Sequence, residues 1–175
     1  MARWVIPEYE NPVASLFVVV CALLPWEVAR QTAYGGTILH VRWPFFEWYQ
    51  RVGILSPTPT TRLLTPLSAY QSQARGAISP VVAAYGVWMA LAALVLLLLA
   101  FAIALSFREE RVVTVCANRI DRRPAVVVGA GLVVAGVGFL AATVVLYLRG
   151  IQGVRIPVGS LFALLLGALL LSNDP

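Results

Sequence analysis

The sequence predicts an all-α integral membrane protein with four transmembrane helices. A long extracellular loop carrying a short interfacial amphipathic helix completes the expected fold. Three observations carry the prediction. Sixty per cent of the 175 residues are apolar and 12% are charged, against about 45–50% and about 25% in soluble domains. The mean hydropathy is +0.84. Four long apolar segments begin at or beside a proline.

Those segments run over about 12–28, 80–107, 124–148 and 157–171. A hydrocarbon core about 30 Å thick takes about 20 helical residues, so the second and third are long enough. The first and fourth need flanking residues or local thinning of the bilayer. Pro12, Pro80, Pro124 and Pro157 suit the first helical position, where the missing N–H has no partner to lose. Asn11 and Ser79 stand before two of them as expected caps. Pro25 ends or kinks the first helix. The acids Glu8 and Glu10 before it, and Trp26-Glu27 after it, do not fit a cleaved signal peptide.

All 13 basic residues are arginine. Lysine-dependent chemistry, including a P-loop, is thereby excluded. Arg108, Arg111, Arg119, Arg122 and Arg123 crowd the short segment 108–123. Short charged loops govern topology, so 108–123 and both termini are expected in the cytoplasm, with 29–79 outside.

Within that loop, HVRWPFFEWYQR places five aromatic rings at 43–49 between Arg42 and Arg51. Gly35-Gly36 precede this stretch, and the turn residues Ser56 to Pro59 follow it. Phe45, Trp48, Tyr49 and Val52 recur at i, i+3, i+4 and i+7, which predicts an amphipathic helix over about 44–54. Arg42, Trp43, Phe45, Phe46, Trp48, Tyr49 and Arg51 are therefore expected to contact anionic headgroups or a partner protein. The arginines lie between apolar segments rather than along one solvated face, so nucleic acid is not an expected partner. The rest of the loop, rich in Pro, Ser and Thr, is expected to be irregular.

Reactive constellations are missing from the pattern. The single histidine, His40, has no metal-ligating cluster around it and reads as a satisfied interfacial residue. Cys21 and Cys116 form no motif and are expected as free thiols. Glu27 sits at the edge of the first span, where Arg30 at i+3 offers a helical ion pair; a proton or substrate role is the lesser alternative. No cofactor, metal or catalytic residue is assigned, and the chain is read as no enzyme. Small residues supply the expected packing faces: Gly131, Ala135, Gly138 and Ala142 on the third helix, and Gly159, Ala163 and Gly167 on the fourth. Enlarging Gly138 is expected to disturb packing more than enlarging Val133 on the opposite side.

The patterns W-V-I-P-E-Y, A-L-L-P-W-E-V and G-G-T-I-L-H-V-R-W-P-F-F, running from Trp4 to Phe46, resemble a group of uncharacterised small multi-pass membrane proteins from halophilic archaea. The resemblance implies four membrane helices and no known activity. One departure stands out. Halophile surfaces are usually acidic, yet 29–79 holds five arginines and only Glu47 as an acid, so lipid or a partner is expected to cover it. The functional expectation is a non-catalytic accessory subunit of a larger membrane complex, or a homo-oligomer. A small transporter or oligomeric channel is the alternative.

Overall fold

The computed structural model describes residues 9–33, 35–53, 58–76, 79–150 and 153–172. Expectations for the two termini, for the Ser56-Pro57 turn and for the Ser79 side chain as a cap fall outside these residues. The elements run α1 (Glu10–Leu23), β1 (Glu27–Ala33), β2 (Gly36–Arg42), β3 (Glu47–Val52) and β4 (Thr60–Leu64). Then follow α2 (Pro66–Ala74), α3 (Ser79–Phe107), α4 (Glu109–Ile120), α5 (Pro124–Arg149), β5 (Gly153–Ile156) and α6 (Val158–Ser172).

The chain is therefore not all-α. β1–β5 form one antiparallel sheet in the order β4-β3-β2-β1-β5. Nor does it present four spans. Among the described residues, only α3 and α5 are long and apolar enough to cross a membrane, which removes the basis for the four-span, multi-pass reading. At 1.5 Å per residue, the 14 residues of α1 and 15 of α6 reach only about 21 and 22 Å, short of the about 30 Å of hydrocarbon.

Local chemistry explains where α1 stops. Leu24 is extended (φ −71°, ψ 142°), the conformation that a following proline favours. The chain then enters the sheet, with Trp26 N–H donating to Arg42 O at 2.7 Å. Asn11 is not a cap but lies inside α1, where its amide donates to Glu109 at 2.8 Å. Pro124 does open α5. A cap not foreseen is Thr65, whose hydroxyl accepts from Ser68 N–H at 3.2 Å at the start of α2.

Where an interfacial helix is expected over 44–54, the described residues 44–53 form a turn followed by β3. Trp43 N–H donates to Phe46 O at 2.8 Å to close the turn. β3 then pairs with β2 on one side and β4 on the other. Aromatic residues favour a pleated surface, and two flanking strands satisfy the backbone as fully as a helix would. Trp48 and Tyr49, neighbours on the imagined helix face, consequently point to opposite sides of the sheet. Gly35, with φ +76°, supplies the left-handed residue of the β1–β2 turn at little steric cost.

The register sorts the sheet into two unlike faces. Glu27, Arg42, Glu47 and Leu64 stand opposite one another in one row, with Ala29, His40, Tyr49, Arg62 and Arg155 in the next. This is the inner face, turned towards the helices. The outer face carries a row of Leu63, Trp48, Val41, Val28 and Ile156 across all five strands. Leu63 and Ile156, at its ends, are exposed.

Beneath the sheet, α1, α3, α5 and α6 share a core that includes Val18, Trp26, Trp88, Leu98, Leu132 and Phe139. Trp26 and Phe139 rings lie 4.1 Å apart, and Gly159 N–H donates to Pro25 O at 3.0 Å. Both contacts join the helix bundle to the start of the sheet.

Candidate functional site: a buried ion cluster and an adjoining cleft

Strand pairing brings Glu27, Arg42 and Glu47 side by side on the inner face. They are 3%, 4% and 1% exposed, so each charge needs a partner in place of water. Arg42 supplies the centre: its Nη1 donates to Glu27 at 3.0 Å, and its Nη2 donates to Glu47 and to Tyr85 Oη, each at 3.0 Å. The guanidinium also lies 5.0 Å from the Tyr85 and Trp88 ring centroids, where the ring quadrupoles attract a cation.

Each acid has further donors. Glu27 accepts from Arg155 and, at 2.9 Å, from the Thr143 hydroxyl. Glu47 lies 2.5 Å from His40 Nδ1, and His40 packs edge-on to Tyr49 at 4.7 Å. Two carboxylates and two guanidiniums thus meet in one buried network. It joins β1, β2, β3 and β5 to α3 and α5.

Desolvation pushes the Glu47 carboxyl up, but the Arg42 charge and the His40 hydrogen bond prevail and hold it down at about 2. Burial likewise opposes charge on Arg42, and the Glu47 and Glu27 carboxylates reverse that and raise its pKa. A carboxyl depressed from about 4.3 stabilises the fold fully above the unfolded value. That contribution is lost as pH falls through about 2. The melting temperature of the full chain is therefore expected to drop between about pH 5 and pH 2. Glu47→Gln is expected to melt lower at pH 7 and to show a flatter acid limb in the same circular-dichroism measurement. Parallel acid limbs for the two proteins would count against Glu47 as the titrating group.

The residues expected to meet lipid or a partner are scattered by this arrangement. Arg42 is inside the network. Trp43 and Phe46 stack on each other at 4.6 Å, and Trp43 Nε1–H donates to Leu23 O at 3.1 Å. Phe45 packs on the core, and Trp48 stands on the outer face. Tyr49 and Arg51 line a cleft of about 140 Å³ between the sheet and α2, together with His40, Glu47, Arg62 and Ser72.

Glu27 lies on a strand rather than a helix. Arg30, three positions along, points to the opposite face and is not its partner. In the cleft, the Ser72 hydroxyl donates to Ala69 O at 2.8 Å. The His40–Glu47 pair therefore has no nucleophile hydrogen-bonded to it among the described residues. No group of three or more potential metal ligands occurs among them either. Cys21 and Cys116 are free and buried.

The small-residue faces divide between two neighbours. A Cβ at Gly131 or Gly138 would meet Leu98 or Leu91 of α3, whereas one at Gly167 would meet Gly129 O and Val133 of α5. Gly159 lies against Pro25 and Trp26. Ala135 and Ala163 are buried, and Ala142 borders a space of about 10 Å³ beside the ion cluster. Val133, expected on the tolerant side of α5, faces α6.

Fold and site together define an α+β protein in which an antiparallel sheet is fixed to one end of an apolar helix bundle by buried ion pairs. No curated protein matches the chain. Residues 3–175 match the Family of unknown function (DUF7549), and the chain belongs to that family.

Proposed function

We propose that the chain is a non-catalytic accessory subunit held at the cell membrane by α3 and α5, with its sheet presented to lipid headgroups or a partner. The observation that carries this reading is the apolar surface left uncovered on those helices. Leu96, Leu97, Ile103 and Phe107 of α3 are exposed, as are Val134, Val137, Val144 and Leu148 of α5. Such continuous apolar surface calls for a non-aqueous cover.

The two ends of the bundle differ in the way a membrane would require. The arginines of 108–123 lie at the end away from the sheet. The start of α1 is tied there by Asn11–Glu109 and by the Glu10–Arg123 ion pair at 2.9 Å. The end of α6 lies there too, because a Cβ at Gly129 near the start of α5 would meet Leu170. Arginine density favours the cytoplasm for that end, which leaves the sheet outside. An origin in a halophilic archaeon belongs to the same reading, supported by the absence of lysine.

A transporter or channel has less support, since the space enclosed beside Glu27 and Arg42 is about 10 Å³ and holds at most about one water. The proposal predicts that the full chain stays in the membrane pellet after alkaline carbonate washing. It also predicts that a defined partner co-purifies in gentle detergent. Release into the supernatant would overturn the membrane attachment; a solitary monomer in gentle detergent would overturn the accessory role.

A further inference from the structure

The cleft between α2 and the inner face of the sheet carries unbalanced charge. Arg62 of β4 stands opposite Tyr49 of β3, and Arg51 lies two positions further along β3. The two arginines are therefore diagonal neighbours on one face, and diagonal neighbours lie within reach of long side chains. Both line the cleft. Arg51 is steadied over the Tyr49 ring, 4.8 Å from its centroid.

Neither arginine has an acidic partner among the described residues. The acid in the cleft wall is Glu47, already held by Arg42 and His40. Two like charges brought together at a concave site, with no acid left to answer them, favour an anion between them. Tyr49, Ser72 and Gln73 add neutral polar groups to the lining. One guanidinium fork is enough to satisfy the two oxygens of a carboxylate. A pair of forks matches an anion with three or four oxygens.

We infer that this cleft binds a phosphate group, carried by a small phosphomonoester or by a lipid headgroup, with Arg51 and Arg62 as its charged donors. The inference does not depend on membrane attachment, because every group involved belongs to the sheet or α2.

The test uses the full chain in neutral detergent with two probes, glycerol 3-phosphate and phosphatidate in mixed micelles; phosphatidylcholine micelles are the blank. Saturable binding of either phosphate probe is expected in a calorimetric titration. The Arg51→Ala/Arg62→Ala variant should bind at least about tenfold more weakly, since charge-assisted bidentate contacts are the strong ones. Both side chains are exposed, so the variant should melt with the wild type. Arg30→Ala, which removes an exposed charge from the outer face, should leave binding unchanged.

Binding of glycerol 3-phosphate would identify a soluble ligand, and binding of phosphatidate alone would identify a headgroup; each supports the site. The inference is overturned if the wild type binds neither probe saturably. It is equally overturned if the double variant binds as tightly as the wild type, or if Arg30→Ala loses as much affinity as the pair.

Discussion

Arg42→Met is expected to destabilise the protein by about 3–5 kcal/mol, the range for removing one member of a buried ion pair. In a chain of this size, about 1 kcal/mol moves the melting temperature by about 2–4 °C, so a drop of roughly 6–20 °C should be measured. The cost comes less from the lost bonds than from what remains. Glu27 keeps Arg155 and Thr143, but Glu47 keeps only His40 and stays almost wholly buried.

Neutralising the stranded acid should therefore recover part of the loss. Arg42→Met/Glu47→Gln is expected to melt above the sum of the two single effects, because residues in one network couple strongly. Additive losses, or a single loss below about 1 kcal/mol, would show that the cluster is solvated well enough not to need Arg42. The methionine keeps bulk beneath Tyr85 and Trp88, which limits the contribution of a simple cavity.

The same cluster explains why the sheet was hard to read in the sequence. A half-buried strand announces itself by apolar residues facing inwards and polar ones outwards. Here the polarity is reversed on the rows that matter. Glu27, Gln31, Arg42 and Glu47 face inwards and are buried, while Val28, Val41, Trp48 and Leu63 face the other way. EVARQTA and TILHVR therefore carry a mixed pattern, with Ala29 and Ile38 buried among the inward charges and Arg30 exposed on the outer face. The helical spacing of Phe45, Trp48, Tyr49 and Val52 then offered a competing pattern with a familiar meaning at a membrane surface. Which pattern wins depends on Arg42, whose partners come from residues as distant as Glu27 and Tyr85 and share no local signal with it.

Legibility was better where chemistry is local. The long apolar runs give α3 and α5, and Pro124 marks the start of α5. Pro25 ends α1 within two residues of where its ring disallows a helix. Of the buried network, the sequence singled out Glu27 and His40 as ionisable residues to weigh and put Arg42 among the lipid-contact residues. It did not flag Thr143, a lone hydroxyl on an apolar face of α5, or Arg155. On helix packing it found small residues by their spacing, but spacing alone does not say which neighbour each one meets. Gly129 and Gly136, absent from the expected ridge, are the α5 glycines that approach α6: a Cβ on them would lie 3.0 Å from Gly167 O and Ser160 O respectively.

That distinction yields a difference of sign between two chemically identical substitutions. Gly→Ala inside a helix gains about 0.8–1.0 kcal/mol from propensity alone, and both Gly138 and Gly167 lie inside helices. At Gly138 the new methyl would come within 2.8 Å of Leu91 Cδ1, the free end of a side chain that can turn aside. At Gly167 it would meet Gly129 O at 2.8 Å and Val133 N at 3.0 Å, backbone atoms that move only if α5 and α6 separate. Overpacking of that kind costs about 1–3 kcal/mol, enough to cancel the propensity gain and exceed it. Gly138→Ala is thus expected to leave the melting temperature unchanged or raised, and Gly167→Ala to lower it. If Gly167→Ala melted at or above the wild type, the two helices would have to be held apart by something other than their glycines.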